Sequence, residues 1–279
     1  MNMLAVLPAH HTKHVPLLRY PFCHSLFHLA QLDNGASNGT ALWLGAQLLS
    51  WYLADNLKYK ATSARRPRVV ELGSGIGLSA LALSAMGYDV LATDLPAVVS
   101  SVLADNISRN VSQLPLGHGT IQVRILDWSV PPEQWSWNDD TAVASPDVWQ
   151  EAGDAQTMGP PFDLIISSDT IYSPDIISPL FRTVHALTRM SLISSPSSRP
   201  PPVYICLERR DPTLTNRALS NAENMWGFTL DRVPHKKLVR AMEKGGVTWD
   251  KVDWEGIEIW KLTLTEKVLN ARVSDNIQQ

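Results

Sequence analysis

Short runs of apolar residues alternate along the chain with longer segments in which apolar residues recur every three or four positions. A short run bounded by turn residues is typical of a buried strand, and the longer spacing is typical of an amphipathic helix. Because the runs are apolar almost throughout, we expect both faces of their strands to be buried, as in a parallel sheet. The predicted strands are Arg68–Leu72, Asp89–Thr93, Ile121–Asp127, Phe162–Ser167 and Val203–Leu207.

The segments between these runs predict helices. Their ranges are Ala41–Asn56, Ile76–Met86, Pro96–Asn110, Ile176–Met190 and Leu214–Met225. Two final strands, Phe228–Val233 and Ile257–Leu264, are separated by a polar stretch for which we expect a hairpin or a partner contact. The alternation predicts a doubly wound, mostly parallel α/β sheet of Rossmann type. Its ending indicates that an antiparallel pair completes the sheet.

One catalytic domain, residues 39–266, accounts for this pattern better than two domains. Residues 1–38 are predicted to be a flexible N-terminal arm, and residues 267–279 a C-terminal tail. Two stretches without helical or strand period, 131–161 and 194–202, are predicted to be surface insertions. The proline- and serine-rich composition of the second indicates a loop.

Composition excludes several kinds of protein. The chain has 279 residues, 44% of them apolar and 18% charged, which is sufficient for a sizeable core. A net charge of −3 does not favour a nucleic-acid partner. Two cysteines are too few for a disulfide framework or a cysteine-based zinc site, and Cys206 is expected to be an inert core residue. No signal peptide or membrane span is recognised, so we expect a soluble protein of the cytosol or the nucleus. We also predict a monomer.

A glycine-rich loop, Glu71-Leu-Gly-Ser-Gly-Ile-Gly77, follows the first predicted strand. Glycine lets a ligand approach the backbone closely, so we expect a nucleotide-like ligand near Gly73, Ser74, Gly75 and Gly77. The dinucleotide pattern G-x-G-x-x-G needs a glycine where this chain has Leu78. An acid two residues before the first glycine is typical of enzymes that bind S-adenosylmethionine. We therefore predict that cofactor and include Glu71 among its binding residues.

Acids at the ends of the next two predicted strands extend this cofactor site. Asp94, followed by Leu95, ends the second strand, where a carboxylate can accept both ribose hydroxyls. The alternative is that Asp94 only caps the helix beginning at Pro96. At the end of the third strand, Asp127 can accept from the adenine amino group, and the Trp128 indole can pack against the ring. We therefore predict that Asp94, Leu95, Asp127 and Trp128 bind the cofactor.

Four motifs resemble the family-16 seven-strand methyltransferases, which mostly modify lysine in other proteins. They are Trp43 within Gly39-Thr-Ala-Leu-Trp-Leu-Gly-Ala46, the loop Val70-Glu-Leu-Gly-Ser-Gly-Ile-Gly-Leu78, Leu126-Asp-Trp128 and Asp169-Thr-Ile-Tyr172. The glycine loop is shared by many methyltransferases, whereas Trp43 combined with Asp169-x-x-Tyr172 is more specific.

The resemblance spans roughly Gly39 to Arg210 and implies a seven-stranded sheet whose last strand is reversed. It also implies a protein substrate, and it adds Trp43 and Ser168 to the predicted cofactor-binding residues. The insertion 131–161 departs from a compact family member.

The same resemblance gives Asp169 and Tyr172 a role in chemistry beside the expected sulfonium. A free lysine has a pKa of about 10.4 and is mostly protonated at neutral pH, while desolvation lowers that pKa. We predict that Asp169 orients the incoming amine and that Tyr172 forms an aromatic wall for the lysine stem. The alternatives are a helix cap near Ser173-Pro174 for Asp169 and a packing role for Tyr172.

Other functions stay open at this point. The acceptor is predicted to be a protein lysine; arginine, an N-terminal amine or a small molecule are alternatives. A non-catalytic adaptor that binds the cofactor and, more distantly, a nicotinamide oxidoreductase are the others. The segment Glu208–Asp211 is predicted to touch substrate or cap the next helix. Five histidines fit no firm metal pattern, so we predict a solvated arm and no metal: His10, His11, His14, His24 and His28.

Overall fold

The computed structural model describes residues 5–32, 38–57, 65–146, 157–195 and 199–265. The strands in these ranges are β1 (Leu17–Phe22), β2 (Ser25–Ala30), β3 (Arg68–Leu72), β4 (Asp89–Asp94), β5 (Ile121–Leu126), β6 (Ala142–Ala144), β7 (Leu164–Ser168), β8 (Val203–Glu208), β9 (Phe228–Arg232) and β10 (Ile257–Leu264). The α-helices are α1 (Leu44–Asn56), α2 (Leu78–Ala85), α3 (Pro96–Val98), α4 (Ala104–Asn110), α5 (Pro174–Ser194), α6 (Pro212–Asn224) and α7 (His235–Lys244), and a π-helical turn, Val99–Leu103, joins α3 to α4. None of these helices combines the length and apolar composition needed to cross a membrane.

Strands β3 to β10 form one sheet in the order β6–β5–β4–β3–β7–β8–β10–β9. Neighbours from β6 to β8 run parallel, and β10 runs antiparallel to both β8 and β9. The prediction of a doubly wound, mostly parallel sheet with an antiparallel end is confirmed, with β6 as an eighth strand beyond the seven predicted. After β3 the chain adds β4, β5 and β6 on one side of β3. Strand β7 then pairs with the other side of β3. Ligands of α/β proteins bind at such a switch point, at the carboxyl ends of the strands.

The polar stretch before β10 is not the hairpin or partner contact that we expected, because it contains helix α7. Leu238, Ala241 and Met242 are buried, at spacings of three and one, while the three lysines of the helix and Arg240 are exposed. This spacing makes one apolar face, which packs beside α1. Arg240 Nε lies 3.1 Å from an oxygen of Asp55 on α1, and Lys244 contacts the other oxygen.

The predicted flexible arm is, over residues 5–32, part of the folded domain. Strands β1 and β2 pair antiparallel, and alternate side chains of the hairpin, including Tyr20, Phe22 and Phe27, are fully buried. The Trp51 indole on α1 donates to the Tyr20 hydroxyl at 3.1 Å. The prediction was wrong because Arg19 and His28, on outward positions of these strands, and the histidines before and between the strands hid the alternation of a half-buried hairpin.

Two buried asparagines on α4 attach this hairpin to the rest of the domain. Asn106 accepts from the Ala30 N–H at 2.7 Å and donates to the Ala30 carbonyl at 3.0 Å. It also donates to the carbonyl of Ile76, in the glycine loop, at 3.1 Å. Asn110 makes the same pair of bonds with His28, at 2.7 and 2.9 Å. The N-terminal hairpin is therefore hydrogen-bonded to the helix that follows β4.

We expect Asn106→Leu to lower the free energy of unfolding by about 3 kcal/mol, because buried backbone groups of Ala30 and Ile76 lose their partners. The measurement is urea denaturation followed by far-UV circular dichroism. Asn224→Leu is the matched control, since Asn224 is exposed on α6 and bonds only the Ser220 hydroxyl among the contacts described. Equal effects of the two substitutions would contradict the structural role of Asn106.

Part of the insertion 131–161 is ordered against the sheet. It supplies β6, and the fully buried Arg124 of β5 donates to the carbonyls of Trp137 (3.2 Å), Asp139 (3.1 Å) and Met158. Residues 147–156 of this insertion, residues 196–198 of the second, and the tail 267–279 lie outside the described residues. Arg124 thus holds both ends of the first insertion beside β5.

Candidate functional site

A cavity of about 610 Å³ opens at the carboxyl ends of β3, β4, β5, β7 and β8. That volume lies within the range of small-molecule and cofactor sites. Eleven of the thirteen predicted site residues line it: Trp43, Gly73, Ser74, Gly75, Asp94, Leu95, Asp127, Trp128, Ser168, Asp169 and Tyr172. The other two, Glu71 and Gly77, are not in its wall.

The glycine loop has the conformation that its sequence demands. Gly73, Gly75 and Gly77 have φ values of 72°, 54° and 88°, in the left-handed region that favours glycine. The Gly73 and Ser74 N–H groups donate to the Thr93 carbonyl at 3.0 and 2.9 Å, which binds the loop to the end of β4. A Cβ at Gly73 would lie 2.7 Å from the Thr170 side chain and 3.5 Å from the Trp128 ring. The loop therefore presents bare backbone to the cavity.

Asp94 connects this loop to the turn after β4. One of its carboxylate oxygens accepts from the Gly75 N–H and the other from the Leu95 N–H, each at 2.8 Å. The helix beginning at Pro96 receives no side-chain cap, so the capping alternative is excluded. Burial raises the pKa of Asp94 to about 6, against these two hydrogen bonds, which lower it. Each oxygen keeps a further lone pair, which leaves the carboxylate able to accept two hydroxyls of a ligand.

Glu71 lies behind the loop and outside the cavity wall, so its predicted contact with the ligand stays a prediction. Its side chain is 1% exposed in β3. Burial raises its pKa to about 8, and the nearby Ser74 hydroxyl opposes that shift. Gly77 likewise lies behind the wall, where a Cβ would approach Leu103 and Ile107 to 3.0 Å. Both residues shape the loop from the side away from the cavity.

These buried carboxyl groups predict that the unliganded protein becomes less stable as pH rises. Burial raises the pKa of Glu71, Asp169 and Asp94 to about 8, 7 and 6, above the ordinary values. The folded state therefore holds protons that the unfolded chain has released, and that stabilisation is lost as pH rises through the folded pKa values. We expect the urea midpoint to fall between pH 5.5 and pH 8.5, and Glu71→Gln to flatten this slope. An identical slope in wild type and variant would exclude Glu71 as its source.

Asp127 and Trp128 reach the cavity at the end of β5. Asp127 accepts from the Ser129 N–H at 2.8 Å through one oxygen, so the turn fixes its carboxylate. The Trp128 carbonyl accepts from Arg182 on α5 at 2.6 Å. The indole Nε1 of Trp128 is buried and has no hydrogen-bond partner among the described residues. The Trp128 indole can therefore pack against an aromatic ring of a ligand, and its free N–H can donate a hydrogen bond to an acceptor atom of that ligand.

Asp169 follows β7 and faces the beginning of α1. Its φ is 55°, one of two positive values among the described non-glycine residues. The backbone N–H groups of Gly45 and Ala46 lower the pKa of its carboxyl, but complete burial dominates and raises that pKa to about 7. The predicted alternative, a cap near Ser173-Pro174, is excluded because the Ser173 hydroxyl itself accepts from Asp175 at the start of α5. The Asp169 oxygen Oδ2 has no hydrogen-bond partner among the described residues.

Trp43 and Tyr172 line the same cavity as this carboxylate. Trp43 immediately precedes α1, and its indole donates to the Asn38 carbonyl at 2.6 Å. Tyr172 is 53% exposed, which argues against a purely packing role. Burial of part of its ring and the nearby Asp94 both raise the pKa of Tyr172. Its hydroxyl end is therefore close to the residue predicted to hold the ribose.

Sequence reasoning missed two cations on Trp43. The Arg210 guanidinium lies 4.8 Å from the centroid of the Trp43 ring, and Lys13 Nζ lies 3.5 Å from it. Arg210 also pairs with Glu208, and both line the cavity. Asp211, in contrast, caps α6 by accepting from Thr213 and Leu214. Of the two roles predicted for the loop after β8, the cap of α6 is confirmed at Asp211, and contact with substrate stays a prediction for Glu208 and Arg210, which line the cavity.

Cys206 is buried in β8, as predicted. Burial raises the pKa of its thiol well above the ordinary value, with a smaller contribution from Asp169. A thiol in this state is a poor nucleophile.

Comparison with known proteins agrees with this geometry. Residues 27–152 match the model of a family described as lysine methyltransferase. The match covers less than half of the chain, and this part of the chain is similar to that family. The matched range contains Trp43, the glycine loop, Asp94 and Asp127-Trp128, and it stops before Asp169 and Tyr172. The resemblance inferred from the motifs is confirmed.

Individual relatives carry related names. Protein-lysine methyltransferase METTL21E of Bos taurus is 28% identical over 159 residues, and EEF1A lysine methyltransferase 3 of Xenopus tropicalis is 30% identical over 171 residues. The alignments cover 56% and 60% of this chain, and 45% and 61% of those two relatives. The chain therefore spans about half to three fifths of the length of each relative.

Solved methyltransferases align with much of the chain at low identity. A TehB-like SAM-dependent methyltransferase from Corynebacterium glutamicum covers 79% of this chain and 87% of its own, with a TM-score of 0.42 and 15% identity. Magnesium protoporphyrin IX methyltransferase from Synechocystis, with bound SAH, covers 79% and 82%, with a TM-score of 0.43 and 12% identity. These likenesses concern the fold only.

Proposed function

We propose that this chain is an S-adenosylmethionine-dependent N-methyltransferase that modifies a lysine side chain of a protein substrate. The observation that carries the proposal is one cavity whose wall contains both the residues predicted to bind the cofactor and the residues predicted to contact the substrate amine. Gly73 and Asp94 lie at the ends of β3 and β4, and Asp169 and Tyr172 lie in the loop after β7. The family of residues 27–152 and the names of the relatives support the lysine acceptor.

The residues present fit S-adenosylmethionine. The loop offers backbone without a Cβ at Gly73, where a side chain would fill the space beside Trp128. Asp94 has lone pairs for the two ribose hydroxyls, and Asp127 with Trp128 surrounds the place expected for adenine. When bound, S-adenosylmethionine supplies a methyl group on a positively charged sulfur and leaves as S-adenosylhomocysteine. The acidic wall is favourable to a ligand with that charge.

Asp169 is the residue we assign to the substrate amine. Its buried Oδ2 is unpaired within the described residues and faces the start of α1, so it is available to accept a hydrogen bond. A substrate lysine would have to give up its ammonium proton to solvent before attack, because its nitrogen lone pair would form the new N–C bond while the sulfur of the cofactor kept the electrons of the broken C–S bond. Burial against Tyr172 lowers the pKa of the lysine amine. Most of the acceleration would then come from the way the cavity positions the substrate amine beside the cofactor.

The proposal is tested by incubating the purified chain with radiolabelled S-adenosylmethionine and a cell lysate, then mapping labelled residues by mass spectrometry. A labelled protein band with methyl-lysine is expected. Label on arginine, on an N-terminal amine or only on small molecules would overturn the lysine assignment, and failure to bind S-adenosylhomocysteine would overturn the methyltransferase. Location in the cytosol or the nucleus, and a monomeric state, stay predictions.

A further inference from the structure

The histidines of the N-terminal segment were predicted to be solvated and without a metal, yet the fold brings two of them to an acid from the other end of the chain. His10 and His11 lie in a 3₁₀ turn, Ala9–His11, and Asp253 ends another, Lys251–Asp253. One ligand atom from each of these three residues lies within 4.8 Å of the other two. We propose that His10, His11 and Asp253 bind a divalent transition-metal ion of the zinc type.

The spacing of the donor atoms suits such an ion. In a tetrahedral site with bonds of about 2.0–2.1 Å, neighbouring ligand atoms are about 3.3–3.4 Å apart. His10 Nε2 lies 3.3 Å from Asp253 Oδ1. That separation is longer than the 2.7–2.9 Å typical of a strong charged hydrogen bond. A donor set of two imidazoles and a carboxylate also favours zinc, nickel or copper over magnesium or calcium, because magnesium and calcium prefer oxygen ligands.

The backbone on both sides of the three ligands is fixed by buried neighbours. Ala9 is 1% exposed and Thr12 is 2% exposed, so the turn that carries the histidines is anchored at both ends. The Ala9 N–H donates to Gln47 of α1 at 2.8 Å. Trp254, next to Asp253, is 6% exposed. A ligand set on an anchored backbone loses little entropy when the ion binds.

The two segments are also joined independently of any ion. The indole of Trp249 donates to the Val6 carbonyl at 2.6 Å, which holds the N-terminal segment against the turn before β10. The rings of His10 and His11 meet edge to face with centroids 4.2 Å apart, so adjacent side chains converge on one side of the turn. The His10 side chain is 40% exposed and that of Asp253 is 20% exposed, which leaves solvent access for the ion and for a water as fourth ligand.

An ion at this place would fix the segment that leads to Lys13. Lys13, two residues after His11, lies over Trp43, which lines the cavity, so a short stretch of chain joins the proposed metal site to the wall of the candidate active site. Its test does not depend on the proposed methyltransferase function.

The experiment is titration of untagged, chelator-treated protein with Zn²⁺ alone by calorimetry, and with Co²⁺ alone by visible absorption. We expect one ion per chain and a rise of about 5 °C in the unfolding temperature at zinc concentrations far above Kd. His11→Ala and Asp253→Asn should each weaken binding at least about tenfold, since each removes one of three ligands. His14→Ala is the matched control, because His14 is exposed in the same segment and outside the ligand set.

Two results would overturn the proposal. Zinc affinity that survives His11→Ala and Asp253→Asn would show scattered binding by the other histidines. Loss of stability in Asp253→Asn without zinc, together with unchanged zinc affinity, would show that the contact with His10 is only an ion pair. Since each variant is measured both without metal and with it, poor folding is distinguished from loss of the ligand set.

Discussion

We expect Asp169→Ala to lower the kcat of methyl transfer by about 100-fold or more, the usual loss when a group that orients or accepts a reacting proton is removed. The carboxylate is fully buried, lines the cavity and keeps Oδ2 unpaired among the described residues. Binding of S-adenosylhomocysteine should survive, because Asp94 and Trp128 are untouched. The measurements are single-turnover transfer to a protein substrate and calorimetry with S-adenosylhomocysteine. Unchanged turnover would remove Asp169 from the mechanism.

Gly45→Ala tests the position of the same carboxylate without altering its chemistry. A Cβ at Gly45 would lie 2.4 Å from Asp169 Oδ2, so the carboxylate must move. Alanine in a helix is otherwise favourable by about 1 kcal/mol, and we expect a folded protein with a kcat reduced as in Asp169→Ala. Gly256→Ala is the control, since the Cβ there meets only Glu208 Cγ at 3.8 Å. A fully active Gly45→Ala would show that the placement of this carboxylate is not important.

Asp94→Ala is expected to weaken the binding of S-adenosylhomocysteine by about 100-fold, or about 2.7 kcal/mol. The variant loses the acceptor for two hydroxyls and the two bonds from Gly75 and Leu95 that hold the loop. Its stability without ligand should change little at pH 8, because it also removes a buried charge whose pKa is raised to about 6. Calorimetry and thermal unfolding measure the two effects separately.

Asp127→Ala provides the comparison for that result. Asp127 also lines the cavity and accepts a backbone N–H, but it is predicted to receive only one hydrogen bond from the ligand. We expect a loss of about tenfold in affinity. Equal losses in the two variants would contradict a bidentate role for Asp94.

The cofactor half of the site could be predicted because its residues are local. Strand β3 runs directly into the glycines, and the positive φ values at Gly73, Gly75 and Gly77 can be inferred from residue type. The acids at the ends of β4 and β5 share an edge with that loop because parallel strands end on the same side. Glu71 was the exception. Its place in the motif is plain, but only the packing shows that its side chain is buried in β3 and is not part of the cavity wall.

The substrate half could be predicted only in part. Asp169 and Tyr172 were found by resemblance, whereas the contact of Asp169 with the first turn of α1 joins residues more than a hundred positions apart. No local pattern encodes that contact. The same is true of Arg210 and Lys13 on Trp43, which come from a loop and from a segment predicted to be flexible.

The alternation of apolar runs and helical periods by itself determined the parallel core of the sheet, because burial on both faces imposes an apolar pattern that few other structures need. The residue types that follow each apolar run also determined the glycine loop and the position of an acid at the end of the next two strands. The tertiary structure decided what depends on distant partners. It folded the N-terminal hairpin onto Asn106 and Asn110, and formed α7 against α1. It also brought His10 and His11 to Asp253. The reason is physical: local periodicity records which face is buried, but not which distant residue covers it.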